Sequence, residues 1–362
     1  MYFLKRFLLI FPTLFIIMLI NFMIIQTAPG GPVEQFIAKM NHVSQVGGEI
    51  AATDFTRSIS TNLTANSDAK YRSSTGIDPE IIAKIKTLYG FDLPLWKRFI
   101  LMMKKFLTFD FGVSFYQDKK VTDLVFEKLP VSISIGLWST LLVYLISIPL
   151  GIKKALYDGS KFDVSSSTII IFAHAIPAFL MAILLVIFFA GGNFLSIFPL
   201  RGLISENFQD LKWWQKIADY FWHMTLPIIA MIIGGFASLT FFVKNSFLEE
   251  INKQYVLTAY AKGLDQKAVL YKHVFRNAMM IVIAGFPAAL IGILFTGSML
   301  IEVIFSLDGL GLLGYESAVS RDYPVMFGTL YFFTLIGLIT TIISDLTYKI
   351  VDPRLNFNSL SS

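Results

Sequence analysis

The chain contains no cysteine. Disulfide frameworks, thiolate nucleophiles and Cys-based zinc or iron–sulfur sites are therefore excluded. It contains no Gly-Lys dipeptide either, so a phosphate-cradling P-loop is absent and this chain has no ATPase site of that kind. No G-x-S-x-G elbow occurs, and the histidines His42, His174, His223 and His273 fall in four separate segments without H-E-x-x-H spacing. Charge is scarce as well: 15% of the 362 residues are charged against 55% hydrophobic. That balance excludes a soluble globular domain and makes this an integral membrane protein. The net charge of +5 follows from where Lys and Arg sit around apolar runs, and calls for no nucleic acid partner.

Crossing a hydrocarbon core of about 30 Å takes about 20 mostly apolar residues. Six windows meet that length: residues 7–27, 131–152, 166–190, 224–243, 278–300 and 325–348. The first follows Lys5 and Arg6 like a signal peptide, but its apolar run is too long and ends in Thr27-Ala28-Pro29-Gly30-Gly31 without an A-x-A site, so it reads as a retained anchor. The short basic loops, with Lys153, Lys154 and Lys161 in one and Lys244, Lys253, Lys262, Lys267, Lys272 and Arg276 in another, face the cytoplasm, and both termini lie inside. The spans carry almost no ionisable residues at depth. Lys244, Asp345 and Lys349 read as snorkelling from the cytoplasmic ends, and His174 as a packing or pore-lining residue.

The chain divides into a first transmembrane helix (1–27), a periplasmic segment (28–130), a five-helix core (131–348) with a cytoplasmic loop at 244–277, and a tail (349–362). Within the periplasmic segment, residues 41–78 are Ser/Thr/Asn/Gly-rich and predict a flexible insert, whereas "LWKRFILMMKKFLTFDFG" alternates basic and apolar positions at helical spacing and predicts a helix lying on the outer leaflet. Pro12, Pro149, Pro177, Pro227 and Pro287 fall in or beside five different spans and permit kinks. Small residues recur every four positions at Ala230, Gly234 and Ser238, and at Ala284, Ala288, Gly292 and Thr296, which suits close helix packing, a moving gate or a dimer seam. Gly309-Leu310-Gly311-Leu312-Leu313-Gly314 matches a dinucleotide fingerprint in letters only. It lacks the βαβ setting and reads as glycines for turns in an outward loop.

Around "QYVLTAYAKGLDQKAVLYKHVFRN", residues 254–277, residues 249–262 read as a helix with an apolar side through Val256, Ala259 and Tyr260, followed by Gly263 at a left-handed C-cap position and Asp265 as N-cap of a second helix. That second helix runs from about Gln266 without a break signal into the fifth span. Such a corner suits docking into a groove on a soluble partner and would convert a push on the short helix into tilt of a span.

The run Thr258-Ala259-Tyr260-Ala261-Lys262-Gly263, with Tyr255 before it and His273 and Arg276-Asn277-Ala278 after it, resembles the coupling segment of the dipeptide/oligopeptide class of ABC-importer permeases. The start "FLLIFPTLFIIMLINFMIIQTAPGGP", the stretch "EVIFSLDGLGLLGYESAVSRDYPVMFG" and the tail "DPRLNF" are similar to that class, and "DYPVMFGTLYFFTLIGL" resembles its YejB-type branch. The resemblance implies an all-α protein with six transmembrane helices and a type I ABC importer permease (MetI-like) fold in the bacterial inner membrane. It implies import of oligopeptides or peptide-like antibiotics, with a second permease subunit, cytoplasmic ABC ATPase subunits and a periplasmic peptide-binding protein as partners. This chain would bind no cofactor, and ATP and Mg would sit on the ATPase. Tyr255, Thr258, Ala259, Ala261, Lys262, Gly263 and Asp265 would form the ATPase-coupling site. Asp308, Gly309, Gly311, Gly314, Arg321, Asp322 and Tyr323 would lie in the loop facing the binding protein. This chain departs from the general ABC-importer coupling signature at Leu257 and Phe275-Arg276. The residues alone leave open a second function, a membrane assembly or receptor protein docking a non-ATPase partner.

Overall fold

Long apolar runs broken only by single prolines give long helices. The computed structural model describes residues 2–27, 93–117, 119–190, 194–292 and 299–351, and among these the chain is helical, with one antiparallel bridge between Val113 and Lys120. We number the helices α1 (Tyr2–Thr27), α2 (Leu95–Leu107), α3 (Val121–Leu156), α4 (Lys161–Ala175), α5 (Ala178–Phe189), α6 (Trp213–Ile251), α7 (Gln254–Ala261), α8 (Gln266–Val269), α9 (Phe275–Gly292), α10 (Met299–Ile304), α11 (Leu310–Ser320) and α12 (Tyr323–Val351). The flexible insert expected at 41–78, the small residue Thr296 and most of the tail lie outside the described residues.

Among the described residues, five helices are long and apolar enough to cross a membrane: Leu4–Ile25, Val121–Leu156, Trp213–Ile251, Gln266–Ala289 and Tyr323–Thr347. The third predicted window, 166–190, is not one straight crossing. It is the pair α4 and α5, bent by 89° at Ile176-Pro177, which makes a sixth span if the pair counts as one. Pro12, Pro130, Pro149, Pro227 and Pro287 all sit inside continuous helices. Pro177 instead N-caps a new helix, because Ile176 before it is extended and α5 restarts from its carbonyl, which accepts the Met181 N–H at 3.0 Å. Helices α3 and α6 overrun their predicted windows, at 36 and 39 residues.

The chain forms two units. One contains residues 1–7, 128–313 and 336–362, and its interior holds two apolar clusters. In the first, Val243 and Phe247 of α6 pack with Val256 and Ala259 of α7, and with Val269, Val274, Ala278 and Val282 on the way into α9. In the second, Ile135, Met224, Ala230, Ile301 and Phe305 pack together. Gly151 lets α3 meet α6 directly, since a Cβ there would stand 2.7 Å from the Val243 Cβ and 2.8 Å from the Thr240 carbonyl oxygen.

The second unit contains residues 8–127 and 314–335. Its helix α2 buries Phe99, Met103 and Phe106 at the spacing the sequence predicts. Phe99 packs on Phe15 and Phe22 of α1, with ring centroids 5.2 and 5.4 Å apart, and Phe106 stacks edge-on against Phe111 and Tyr331.

The spans are less free of charge than the sequence implies. Lys154, with 0% of its side chain exposed, donates to the Ser166 and Ser167 hydroxyls at 2.8 and 2.7 Å and pairs with Asp163 at 2.9 Å. Lys244 pairs with the same Asp163 at 2.7 Å and with Asp158 at 2.8 Å. Lys244 is thus clamped, not snorkelling, because the start of α4 brings two carboxylates to it. Asp163 also accepts the Gly159 N–H while its own N–H goes to the Ser160 hydroxyl, a reciprocal cap that fixes the first turn of α4. At the other end of the molecule's sequence, Asp345 pairs with Arg6.

Candidate coupling site

Helix α7 ends because Gly263 turns the chain. Its φ is +81°, in the left-handed region that the sequence predicts for it. The Gly263 N–H donates to the Tyr260 carbonyl at 2.9 Å and the Leu264 N–H to the Ala259 carbonyl at 3.3 Å, the paired bonds of a Schellman corner. Leu264 packs back against the apolar cluster that holds Ala259, which closes the corner on its apolar side. Asp265 has the extended backbone of an N-cap and its carbonyl accepts the Val269 N–H at 3.0 Å, but its side chain makes no capping bond.

The rear of α7 is tied to two long helices. The Tyr255 hydroxyl donates to Glu250, at the end of α6, at 2.6 Å, and accepts from the Asn277 amide of α9 at 3.2 Å. Lys253 pairs with the same Glu250 and with Glu249. Burial, then the bond to Glu250, pushes the Tyr255 phenol above its usual range, and the Glu250 carboxylate raises the Lys253 ammonium. Among the described residues the front of α7 is open: Leu257 is 64% exposed, and Thr258, Tyr260, Ala261 and Lys262 are exposed beside it.

Of the predicted coupling residues, Thr258, Ala261, Lys262, Gly263 and Asp265 thus lie on the open side of one corner. Ala259 points inward at 5% exposure, and Tyr255 acts as a strut behind the helix. Tyr260, read on the same apolar side as Val256 and Ala259, is exposed where those two are buried. Leu257, Glu250 and Asn277 were not singled out as coupling residues. The available signal was the i, i+3 burial of Val256 and Ala259, which turns Leu257 outward.

The rod into the fifth span is continuous but not uniform. Between α8 and α9 the residues Leu270–Val274 form one π-helical turn, in which the Phe275 N–H reaches the Leu270 carbonyl. The wider turn lets Leu270 and Val274 both face the cluster under α7, while Tyr271 stays 64% exposed.

The stretch 306–323, expected to face outward as a loop, is mostly the helix α11. Its glycines do not serve turns, since none of Gly309, Gly311 and Gly314 has a positive φ. Gly309 and Gly311 make room for Glu302, which is 0% exposed. A Cβ at Gly309 would lie 2.5 Å from the Glu302 carboxyl carbon, and one at Gly311 would lie 3.0 Å from a carboxylate oxygen. Glu302 accepts the Leu312 N–H at 2.7 Å and the Ser132 hydroxyl at 3.0 Å, and Ser132 in turn accepts the Leu310 N–H at 2.8 Å, so a carboxylate and a hydroxyl cap α11 together. Asp308 pairs with Lys128 beside this cap.

At the far end of α11, in the other unit, Arg321 is left-handed at φ 56° and Asp322 accepts from the Ser114 hydroxyl at 2.5 Å and the Phe115 N–H at 3.2 Å. Burial raises the Asp322 carboxyl, and those hydrogen bonds oppose the rise. Tyr323 opens α12, and the Gly314 carbonyl accepts the Ser317 hydroxyl at 2.9 Å. The predicted outward residues are therefore split between the two ends of one helix, Asp308, Gly309 and Gly311 at the start and Arg321, Asp322 and Tyr323 after the end.

Among the described residues no group of three or more His, Asp or Glu is placed to hold a metal ion.

Comparison with known proteins bears on this geometry. The family described as binding-protein-dependent transport system inner membrane component matches residues 147–357, which include the corner and α11. The chain is 57% identical over 361 residues to the inner membrane ABC transporter permease protein YejB of Escherichia coli O157:H7, covering 98% of each chain. It is 54% identical over 356 residues to the peptidoglycan transport system permease protein YejB of Agrobacterium fabrum, again covering 98% of each. The oligopeptide transport system permease protein OppB of Haemophilus influenzae is 28% identical over 354 residues, at 98% of each chain. Among solved structures, a chain of the MetNI methionine ABC transporter in an inward-facing conformation is similar with a TM-score of 0.50 at 16% identity, covering 64% of this chain and 97% of that one. That likeness shows a MetI-like permease fold.

Proposed function

The chain belongs to the family of binding-protein-dependent transport system inner membrane components, and we propose that it is one permease half of an ATP-driven importer that carries peptides across the bacterial inner membrane. The relatives' names give the cargo class, since an oligopeptide permease and two YejB permeases, one named for peptidoglycan transport, are similar over almost the whole chain. With no P-loop in its sequence, the chain takes its driving force from a partner ATPase, which holds ATP and Mg. A second permease half and a periplasmic peptide-binding protein complete the assembly, with both termini of this chain in the cytoplasm.

One observation carries the mechanism: α7 is wired from behind to α6 and α9 and open in front. An ATPase cleft closing on Leu257, Thr258, Ala261 and Lys262 would push a helix that cannot yield without moving two spans. Tyr255 passes the displacement to Glu250 and Asn277, and the Gly263 corner passes it through α8 to α9. ATP binding then favours one packing of the spans, and the peptide-loaded receptor favours the state that receives cargo. On the outer side, the exposed Tyr315, Glu316 and Val319 of α11 would offer a surface to the binding protein.

The test is reconstitution of the complete complex in vesicles, with ATP hydrolysis measured with and without peptide-loaded receptor. The expected result is peptide-stimulated hydrolysis that is lost when the front of α7 is altered. Hydrolysis indifferent to peptide in a fully assembled complex would contradict the reading. Topology is checked with single cysteines at Lys161 and Val319, which label from opposite sides of the membrane; labelling from one side would contradict the orientation.

A further inference from the structure

His174 stands at the bend between α4 and α5, and its depth follows from the charged residues around it. Asp163 and Lys244 mark the cytoplasmic edge of α4 and α6. His174 lies eleven residues beyond Asp163, and Gly234 ten residues from Lys244, about 15 Å along either helix. In a core of about 30 Å that is the middle of the bilayer. The two residues meet there, with the His174 Nδ1 3.0 Å from the Gly234 carbonyl oxygen. A carbonyl oxygen only accepts, so Nδ1 carries the proton, and in the neutral ring Nε2 presents its lone pair. The ring is exposed in this chain.

A polar ring at mid-membrane is costly against acyl chains, and ionisable residues at this depth face a bundle interior or a water-filled cavity. At this depth the side of α4 away from His174 is apolar. Phe172, roughly 160° around the helix from His174, and Ile169 are 72% and 68% exposed and entirely apolar, as a lipid face should be. The interrupted backbone at Ile176-Pro177 belongs to the same side: it packs at Gly234, where a Cβ would stand 3.4 Å from the Ala178 Cβ. Irregular backbone at membrane depth is tolerated where it is buried in protein or lines a cavity. Exposed Ser238 continues this side of α6 one turn toward the cytoplasm.

We propose that His174 lines the path through which the peptide crosses, and that its Nε2 accepts a hydrogen bond from a backbone N–H of the passing peptide. The bond to Gly234 fixes both the tautomer and the ring plane, so the acceptor is held ready at a bend in the helix. This rests on the permease reading above.

The chain's lack of cysteine makes the test direct. In vesicles containing the complete complex, a charged, membrane-impermeant thiol reagent should modify this chain in H174C and leave F172C untouched, and transported peptide should slow modification of H174C. An H174C as inert as F172C, in a complex that carries peptide, overturns the proposal and leaves the permease reading intact. Should H174C not assemble, uptake by H174F and H174Q decides. H174F should raise the half-saturating peptide concentration about fivefold, the size of one neutral hydrogen bond, and H174Q, which restores an acceptor, should recover most of it. An unchanged concentration in H174F overturns the proposal. Absence of any peptide transport by the wild-type complex overturns the permease reading, and this proposal with it.

Discussion

Replacing Gly263 isolates the corner from every other feature of the coupling segment. A Cβ built there meets nothing within 4 Å, so a side chain causes no clash and the whole cost is conformational. At φ +81° that cost is about 1–2 kcal/mol for an ordinary L-residue. It is larger for a β-branched one and smaller for Asn, which tolerates the left-handed region. A penalty of about 1–2 kcal/mol shifts a local equilibrium about 5- to 30-fold. Relieving the strain means opening the Schellman bonds from Gly263 to Tyr260 and from Leu264 to Ala259, which frees α7 from α8. Membrane insertion and the apolar cluster beneath should survive, since Val256 and Ala259 stay buried through α7 itself. The expected order of peptide-stimulated ATP hydrolysis is wild type, then G263N, G263A and G263V, with basal hydrolysis by the partner retained. Hydrogen exchange at Leu264 should rise in the same order. Wild-type stimulation and uptake in G263V, at normal protein levels, would refute the reasoning.

Y255F removes the hydroxyl that joins Glu250 to Asn277 and should cost the corner about 1–2 kcal/mol, seen as faster hydrogen exchange in α7. The Tyr255 phenol is raised above its ordinary value, so its contribution is fully present at neutral pH and is lost as pH rises past about 10 through the folded-state value; that alkaline loss of protection should be missing in Y255F. G309A forces a methyl group to 2.5 Å from the Glu302 carboxyl carbon and should destabilise the detergent-solubilised protein by about 1–3 kcal/mol, whereas G314A, where a Cβ meets only Phe333 at 3.8 Å, should be close to neutral in the same thermal melt. K154M strips the buried Asp163 of one of its two lysines and should cost about 3 kcal/mol or more, read as a lowered melting temperature or loss of folded protein.

Much of this fold is legible in the residues because hydrocarbon imposes one strong rule, and a run of about 20 apolar residues satisfies it wherever it occurs. The Gly263 corner is legible for a similar reason, as a single residue type relieves a single backbone constraint. What escapes a linear reading is long-range. Five prolines were read as kinks of equal weight, yet only Pro177 breaks its helix, because Gly234, nearly 60 residues on, offers the flat surface into which the bend packs. Lys154 and Lys244 read as loop charges until α3, α4 and α6 bring them together at Asp163. Gly309 and Gly311 read as turn residues because nothing local says that Glu302 approaches them from inside. In residues 254–265 the sequence locates the short helix, but which side faces out depends on the cluster beneath it, so Ala259 is buried and Tyr260 exposed although both read as one apolar side.

The central claim is that α7 is gripped from its open face by a nucleotide-driven partner. Single cysteines at Leu257, Thr258 and Ala259, cross-linked in the assembled complex with a short bifunctional reagent and followed through ATP binding, test it most directly. The account requires Leu257→Cys and Thr258→Cys to join the ATPase at high yield, with a yield that changes when ATP binds, and Ala259→Cys to stay unlinked. Equal cross-linking at all three positions, or none at Leu257 and Thr258 in a nucleotide-loaded complex, would contradict it.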